Sequence, residues 1–191
     1  IINAAAFTNV ELAETNIKDA MLLNGEAILQ ISVACNELNI PLLHISTDYV
    51  FDGSGTIPWK PLDKPFPLNQ YGKTKLLGEE YILSTHSRSI ILRTSWVFSK
   101  VGRNFLTSMY ALRSKKQISV VSDQVGGPTS ARSIAKACEK IITKMIYEKK
   151  INGIYHFSGK DDVSWYEFAL EIFSLMGCDI EVLPIFSREY K

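Results

Sequence analysis

The stretch Leu42-Leu43-His44-Ile45-Ser46, introduced by Pro41, is a short apolar run of the kind found in parallel strands that are buried on both faces. Before it, in residues 16–39, apolar residues recur at intervals of three and four, which is typical of a helix that packs one face against a sheet. A second predicted helix at 68–83 and a second strand-like run at 89–94 come next. The order strand, helix, strand predicts a parallel βαβ unit.

The same alternation continues to the end of the chain. Further helices are predicted at 104–115, 134–145 and 165–176, and further strands at 118–121, 154–157 and 180–185. Ser164 and Glu167 form an S-x-x-E capping box at the start of the last helix. These elements predict an α/β fold built on a doubly wound parallel sheet.

Two segments between the regular elements suggest where a ligand binds. Residues 47–67 are rich in proline and glycine, which predicts a surface loop over a ligand site. Ile1 and Ile2 predict the end of a buried strand, and the small residues after them form a loop that a ligand can approach closely.

Composition and charge exclude several classes of protein. The 191 residues are 46% hydrophobic and 21% charged, which is ordinary for a globular protein. The formal net charge of +1 creates no field that would attract nucleic acid or an anionic membrane, and the short basic clusters at 113–116 and 149–150 are predicted to end helices. No apolar run approaches the ~20 residues that a spanning helix needs. We therefore predict a soluble protein with no nucleic-acid and no membrane partner.

The cysteines and histidines indicate neither disulfides nor a metal. Cys35, Cys138 and Cys178 are an odd number at wide spacing without a C-x-x-C pair, so the sequence predicts no disulfide framework and favours the reducing cytoplasm. The three histidines are scattered without metal-ligand spacing, so no metal site is predicted.

Polar residues at the carboxyl ends of the strands are the first candidates for chemistry, because ligands bind there in parallel sheets. Tyr71 and Lys75 lie four residues apart on the helix after the long loop, so the phenol and the ammonium share one face. A nearby ammonium favours the phenolate, which lowers the pKa of Tyr71 and makes it usable in proton transfer. Thr47 supplies a hydroxyl to a substrate carbonyl, and Trp96 supplies a flat face to a sugar or ring. Spacing alone is explained equally well by a surface Tyr and Lys that align by chance, a turn-forming Thr and a core Trp.

Six segments, in one order along nearly the whole chain, carry a resemblance to a known family. They are Asn3-Ala4-Ala5-Ala6-Phe7-Thr8, His44-Ile45-Ser46-Thr47-Asp48-Tyr49-Val50-Phe51-Asp52-Gly53, Pro67-Leu68-Asn69-Gln70-Tyr71-Gly72-Lys73-Thr74-Lys75, Arg93-Thr94-Ser95-Trp96-Val97-Phe98, Asp123-Gln124-Val125-Gly126-Gly127-Pro128-Thr129-Ser130 and Ser164-Trp165-Tyr166-Glu167-Phe168. In these segments the chain resembles the extended short-chain dehydrogenase/reductases, and within them the dTDP-4-dehydrorhamnose reductases.

The resemblance implies a Rossmann-like fold and an enzyme that transfers a hydride from NADPH, or from NADH, to the C4 ketone of dTDP-4-dehydrorhamnose. By this analogy Tyr71 protonates the nascent alkoxide, Lys75 binds the nicotinamide ribose and lowers the pKa of Tyr71, and Thr47 completes a catalytic triad. The cofactor-binding residues implied are Ala4, Ala5, Thr8, Asn24, Tyr71 and Lys75, and the substrate-binding residues implied are Thr47, Asp48, Tyr49 and Trp96.

One departure from the family bears on domain organisation. The sequence contains no G-x-x-G-x-x-G turn, with which extended reductases hold the cofactor pyrophosphate at a helix N-terminus. We therefore expect an N-terminally truncated NAD(P)-binding Rossmann domain in residues 1–100 and 131–158, and a smaller α/β substrate-binding portion in 101–130 and 159–191. Because truncation would leave a strand edge unpaired, a homo-oligomer is also expected.

Two alternatives stay open. A non-catalytic binding protein like the regulatory subunit of methionine adenosyltransferase shares much of the pattern at 48–53 and 71–75, although Arg93-Thr94-Ser95-Trp96 favours the reductase. Another sugar-nucleotide epimerase or dehydratase of the same superfamily would need acid and base groups for which no matching spacing occurs.

Overall fold

The computed structural model describes residues 1–148 and 151–190. The strands are β1 (Ile2–Asn3), β2 (Leu42–Thr47), β3 (Ser89–Thr94), β4 (Val97–Phe98), β5 (Gln117–Val121), β6 (Val125–Gly126), β7 (Thr129–Ser130), β8 (Gly153–His156), β9 (Val163–Ser164) and β10 (Glu181–Ile185). The α-helices are α1 (Val10–Thr15), α2 (Ile17–Met21), α3 (Ala27–Glu37), α4 (Gln70–Thr85), α5 (Phe105–Leu112), α6 (Ala131–Glu148) and α7 (Trp165–Met176). A π-helical turn occupies Leu22–Glu26, and 3₁₀ turns occupy Asp48–Val50 and Ser187–Glu189. The predicted basic helix end at 149–150 lies outside the described residues.

The chain divides into two compact units. The first comprises Ile1–Thr94 and Lys136–Phe157, and the second comprises Ser95–Ala135 and the described residues from Ser158 onward. The functional roles predicted for 1–100 with 131–158, and for 101–130 with 159–191, stay predictions.

The first unit is built on a parallel sheet in the order β1-β2-β3-β8. The register pairs Thr47 with Thr94 and Arg93 with His156, so the carboxyl ends of β2, β3 and β8 lie at one edge. The side chains of β2 and β3 are almost entirely buried. The predicted α/β class and parallel sheet are therefore confirmed, and β3 has the predicted bounds.

The apolar core of this unit joins two helices to the sheet. It contains Ile28 and Cys35 of α3, Leu42 of β2, Ile82 of α4 and Ile91 of β3. Burying each of the isoleucine and leucine side chains in this core contributes about 1.5–3 kcal/mol. The helices thus cover the apolar sheet residues, as the period of three and four predicts.

Three details of this unit differ from the sequence prediction. Ile1 and Ile2 are half-exposed and not buried, because β1 pairs with β2 alone among the described strands. The helix predicted at 16–39 is interrupted by the π-helical turn, which rotates the face that the following residues present. The predicted apolar stripe does not extend to Leu38, which is 69% exposed because α3 ends at Glu37 and Leu38 is its C-cap.

The second unit has its own core under α7. Ala169, Ile172 and Phe173 pack with Ile118 of β5 and Val182 of β10. Strands β5 and β10 are parallel and pair with each other over five residues each, in a two-stranded sheet separate from the four-stranded one.

The ends of α7 follow local rules. The predicted capping box at its start is confirmed, because Ser164 and Glu167 exchange side-chain and backbone hydrogen bonds. The helix stops at Gly177, which adopts a left-handed conformation with φ of 64°.

Among residues 1–148 and 151–190, no helix combines the length and the hydropathy needed to cross a membrane.

Candidate active site

The start of α4 lies against the turn that follows β2. Asn69 caps this helix by accepting a hydrogen bond from the Gly72 amide at 2.8 Å. Gly72 contacts the Tyr49 carbonyl so closely that a Cβ atom at this position would collide with it. Glycine is therefore required where α4 meets the Asp48–Val50 turn, and this close approach brings Tyr71 to the end of β2.

Thr47, Asp48, Tyr49 and Tyr71 form one cluster there. The rings of Tyr49 and Tyr71 meet edge to face, with centroids 5.6 Å apart. The Thr47 hydroxyl donates to the Asp48 carboxylate at 3.1 Å and accepts from the Tyr49 amide at 3.2 Å. The structure thus brings together three of the predicted substrate contacts and two of the predicted catalytic residues.

The phenol of Tyr71 is held in its neutral form. Burial raises the pKa of Tyr71 to about 12, a hydrogen bond with Thr47 acts in the opposite direction, and the charge of Asp48 raises the pKa further. Desolvation also raises the pKa of Asp48. At neutral pH the cluster therefore presents a protonated phenol, which is a proton donor.

Lys75 does not act on Tyr71 in the predicted way. Its side chain is 1% exposed, and Nζ donates to the Ile45 carbonyl at 2.8 Å and lies 3.1 Å from His44 Nε2. Burial lowers the pKa of Lys75 to about 8, against an opposing effect of Glu79. The expectation that a Lys75 ammonium lowers the pKa of Tyr71 is therefore wrong for this structure, because the amine is buried and held by β2.

A buried ion pair that the sequence analysis missed lies one turn further along α4. Glu79 accepts from Arg93 of β3 through Nη2 at 2.6 Å and Nε at 3.0 Å, and from the Ser46 hydroxyl at 2.5 Å. An arginine at the end of the apolar run Ile90–Leu92 was the available signal, because a charge in a buried strand needs a partner.

Arg93 also anchors the loop at 51–67. Its guanidinium lies 5.0 Å from the centroid of the Phe51 ring and donates to the Pro61 carbonyl at 3.2 Å. Phe51 stacks on Trp59 with ring centroids 4.7 Å apart. The ion pair therefore fixes the long loop at the edge of the sheet where Thr47 lies.

The small-residue loop after β1 is held by Asn24. This side chain lies in the π-helical turn with no exposed surface, accepts from the Phe7 amide at 2.8 Å, and donates to the Phe7 carbonyl and the Thr74 hydroxyl at 3.1 Å each. Ala4, Ala5 and Thr8 of this loop are exposed. Asn24 is enclosed, and these hydrogen bonds position the loop. The cofactor contact that the resemblance implies for Asn24 stays a prediction.

A pocket lies next to this loop. It is lined mainly by small and aliphatic side chains, namely Asn3, Ala5, Ala6, Leu23, Ala27, Ile28 and Ile31. Small side chains let a flat ligand approach the backbone closely. The pocket is compatible with the apolar part of a dinucleotide and contains no basic side chain for a phosphate.

Two buried polar atoms near this edge have no hydrogen-bond partner among the described residues: Thr94 Oγ1 and His156 Nε2. Among those same residues, no group of three or more His, Cys, Asp or Glu side chains is arranged to hold a metal ion.

Trp96 belongs to the second unit. Its ring stacks on Trp165 with centroids 3.4 Å apart, and its edge packs against Gly126. Its backbone is left-handed, with φ of 47°. One face of the indole is therefore covered within its own unit.

Comparison with known proteins gives a consistent family. The family model described as the RmlD substrate binding domain matches residues 1–191. A dTDP-4-dehydrorhamnose reductase of Aggregatibacter actinomycetemcomitans is 44% identical over 91% of this chain, and the spore coat polysaccharide biosynthesis protein SpsK of Bacillus subtilis (strain 168) is 39% identical over 100% of it. The solved structure of dTDP-4-dehydrorhamnose reductase (rfbD) from Bacillus anthracis str. Ames in complex with NADP superposes with a TM-score of 0.93 at 36% identity over 100% of this chain.

The chain is shorter than these relatives. It spans 60% of the Aggregatibacter protein, 65% of SpsK and 67% of the Bacillus anthracis chain.

Proposed function

This chain belongs to the RmlD substrate binding domain family, and from that premise we propose that it forms the catalytic part of an NADPH-dependent reductase. The proposed reaction reduces the C4 ketone of dTDP-4-dehydrorhamnose to give dTDP-L-rhamnose, in nucleotide-sugar synthesis for polysaccharides. The observation that carries the proposal is the neutral phenol of Tyr71 beside the Thr47 hydroxyl at the carboxyl edge of the sheet. Relatives that are 44% and 40% identical to this chain bear the name dTDP-4-dehydrorhamnose reductase.

The nicotinamide cofactor supplies the hydride when bound. Tyr71 donates its phenolic proton to the oxygen on which negative charge develops. Thr47 donates a second hydrogen bond to the same oxygen once its hydroxyl turns away from the Asp48 carboxylate. Both groups lie at the end of β2, where Asp48 and Tyr49 also lie. The phenol carries its proton at neutral pH before the transfer, because the pKa of Tyr71 is not lowered below its ordinary value of 10.

The cofactor is proposed to contact the loop residues Ala4, Ala5 and Thr8, and Lys75 is proposed to bind the nicotinamide ribose. NADH would make the same contacts, since none of these residues distinguishes the two dinucleotides. Asn24 contributes indirectly, because it fixes the loop against α4.

The substrate is proposed to contact Thr47, Asp48, Tyr49 and Trp96. Residues 1–100 and 131–158 are proposed to form the truncated NAD(P)-binding Rossmann domain, which would also supply these four contacts, and residues 101–130 and 159–191 to form the smaller substrate-binding portion. A cytoplasmic location and self-association into a homo-oligomer belong to the same proposal.

The two alternatives from the sequence receive less support. A binding subunit without catalysis is less well supported, because relatives that match most of this chain bear the reductase name. The epimerase or dehydratase alternative is not favoured either, because the relatives above 35% identity include several reductases.

The decisive experiment uses the protein expressed from its complete gene, assayed by NADPH oxidation with dTDP-4-dehydrorhamnose. Tyr71→Phe removes the proton and is expected to lower kcat by about 10²- to 10⁴-fold with little change in NADPH affinity. Tyr147→Phe is the matched control, because Tyr147 is 80% exposed on α6. A Tyr71→Phe protein that turns over like wild type would overturn the assignment.

A further inference from the structure

The buried ion pair between Arg93 and Glu79 uses every nitrogen of the guanidinium. Nε and Nη2 donate to the Glu79 carboxylate at 3.0 and 2.6 Å, and Nη1 donates to the Pro61 carbonyl at 3.2 Å. The same carboxylate accepts from the Ser46 hydroxyl. Ser46, Glu79 and Arg93, which we call the Arg93 cluster, therefore link β2, α4 and β3 to the loop at 51–67.

The members of the Arg93 cluster lie near the proposed catalytic residues in the chain. Ser46 directly precedes Thr47 in β2, and Arg93 pairs with Ser46 in the register of the sheet. Glu79 follows Tyr71 by about two turns of α4. Because β2 carries Thr47 and α4 carries Tyr71, the hydrogen bonds that tie this helix to the two strands also set the position of the phenol relative to the hydroxyl.

The loop at 51–67 connects the same two residues along the chain. Thr47 lies shortly before the loop and Tyr71 shortly after it. The Phe66 amide donates to the Val50 carbonyl at 2.9 Å, which closes the loop at its base. A shift of the loop would therefore be transmitted to the end of β2 and to the start of α4.

Arg93 holds the middle of this loop. Its guanidinium contacts the ring of Phe51, which is 6% exposed and stacks on Trp59. Together with the hydrogen bond to the Pro61 carbonyl, these contacts fix the loop to β3. The loop is thus anchored by the same guanidinium that pairs with α4.

Stability alone does not account for a pair of charges in this interior. Removing both charges from water costs about as much as their attraction returns, and apolar replacements of similar volume are often neutral or stabilising. Apolar side chains do not reproduce the direction of the contacts, because a planar guanidinium fixes its acceptors at set angles. The contribution that is specific to Arg93 and Glu79 is therefore geometric.

We propose that Arg93 and Glu79 are positioning residues for the proposed catalytic pair. They hold α4 and the loop at 51–67 against the ends of β2 and β3, so that Tyr71 and Thr47 reach the same substrate oxygen. In this role neither residue contacts the substrate or exchanges a proton. The inference rests on the proposed function for the identity of the reaction. A misplacement of a reacting group by about 1 Å is enough to lower a rate by roughly 10²-fold.

The first test replaces both charges in the full-length protein, as Glu79→Leu with Arg93→Leu. No buried charge is then left unpaired, so the fold is retained, while the hydrogen bonds to Ser46 and Pro61 are lost. We expect kcat to fall by about 10- to 100-fold. The Michaelis constant for NADPH should stay close to that of wild type, because Asn24 holds the small-residue loop independently. A folded double variant with the kcat of wild type would overturn the proposal.

Two further variants separate geometry from charge. Arg93→Lys keeps a cation beside Glu79 but lacks the planar fork, so its kcat should lie between those of wild type and the double variant. An Arg93→Lys protein that turns over like wild type would contradict the proposal. Arg88→Leu is the matched control, because Arg88 also donates to a backbone carbonyl, that of Asn39 at 3.0 Å, but at the amino end of β3. It should leave kcat unchanged.

The position of the loop is read by chymotrypsin cleavage after Trp59 under native conditions, followed by mass spectrometry. Loss of the charge-assisted hydrogen bond to the Pro61 carbonyl and of the contact with Phe51 should raise the cleavage rate by about tenfold or more in the double variant. Arg88→Leu should be cleaved like wild type. Equal rates in the double variant and in wild type would show that the Arg93 cluster does not hold the loop.

The cleavage assay needs neither cofactor nor substrate, so failure of the proposed function can be told apart from failure of this inference. If the double variant is cleaved faster but Tyr71→Phe turns over like wild type, the proposed function fails and only the hold of Arg93 on the loop stands. If Tyr71→Phe is slow but the double variant turns over like wild type, the proposed function stands and the positioning role fails.

Discussion

Helices α4 and α7 both lie against parallel strands, but they bury opposite kinds of side chain. The buried side of α7 consists of Ala169, Ile172 and Phe173. On α4 the buried side chains are mostly polar, namely Thr74, Lys75 and Glu79, with Ile82 as the apolar exception. Lys75 and Glu79 are each 1% exposed. The interior of the second unit is therefore held together by apolar area, and part of the interior of the first by hydrogen bonds and charge.

The difference shows what each interior can do. Apolar burial at α7 stabilises in proportion to area and tolerates changes of similar volume. The polar residues of α4 lose hydration on burial, and this is offset only while every partner is in place. The same burial moves the pKa values of Tyr71 and Lys75. The proposed catalytic residues thus lie where stability depends on every buried polar group keeping its hydrogen-bond or ionic partner.

The largest expected effect on stability comes from breaking the buried ion pair between Arg93 and Glu79. Arg93→Leu leaves the Glu79 carboxylate buried without its cation and should lower the free energy of unfolding by about 3–5 kcal/mol. Replacing both residues, as Arg93→Leu with Glu79→Leu, should restore at least half of the loss, since no unpaired charge remains. Urea unfolding followed by circular dichroism measures both.

The matched truncation on the apolar side is Phe173→Ala, which should be equally destabilising, at about 3–5 kcal/mol, because it leaves a cavity. If the double replacement at positions 79 and 93 is as unstable as Arg93→Leu alone, the two interiors do not differ in the way described.

Most of the fold was predictable because its elements have simple periods. The apolar runs of β2 and β3 have the length of buried strands, and the capping box at Ser164 marks the start of α7. The segment Leu42-Leu43-His44-Ile45-Ser46 therefore correctly predicts a buried strand of the parallel sheet. The proximity of Tyr71 to Thr47 was also predictable, from the rule that strand ends carry the site.

The rest depended on tertiary contacts that no local pattern contains. The π-helical turn that encloses Asn24 arises where Gly78 of α4 packs against the Asn24 carbonyl too closely for a Cβ atom. Tyr71 and Lys75 lie on one helix, α4, as predicted, but the predicted effect of Lys75 on the pKa of Tyr71 is absent. The sequence does not show that the Lys75 amine contacts His44 and the Ile45 carbonyl. Nor does it show that burial has the largest effect on the pKa of Tyr71.

A smaller effect is expected at the start of α7. Ser164→Ala removes the acceptor of the Glu167 amide and one partner of the Glu167 carboxylate, and should lower the free energy of unfolding by about 1–2 kcal/mol. Ser164→Thr keeps the hydroxyl and should lose less than half as much. An Ala variant as stable as wild type would mean that the apolar core alone fixes this helix.

The smallest effect is a pH dependence of stability that belongs to the polar interior alone. The pKa of Lys75 is about 8 when folded and 10.5 in its ordinary state, so between these values the unfolded chain binds more protons than the folded one. Stability must then rise with pH in this window, by at most about 1.4 kcal/mol per pH unit. Below pH 8 the amine is protonated in both states, and this contribution becomes constant.

The raised pKa values of Cys35, Cys138 and Tyr71 act in the opposite sense at higher pH, because the unfolded chain loses those protons first. The Lys75 contribution is therefore isolated by subtracting the pH profile of Lys75→Met, in which those groups remain. From pH 8 to pH 9 the difference between wild type and variant should increase by about 1 kcal/mol in favour of wild type. Parallel profiles from urea unfolding at both pH values would show that Lys75 keeps its ordinary pKa inside the fold. The polar face of α4 would then be no more than a structural variant of the apolar one on α7.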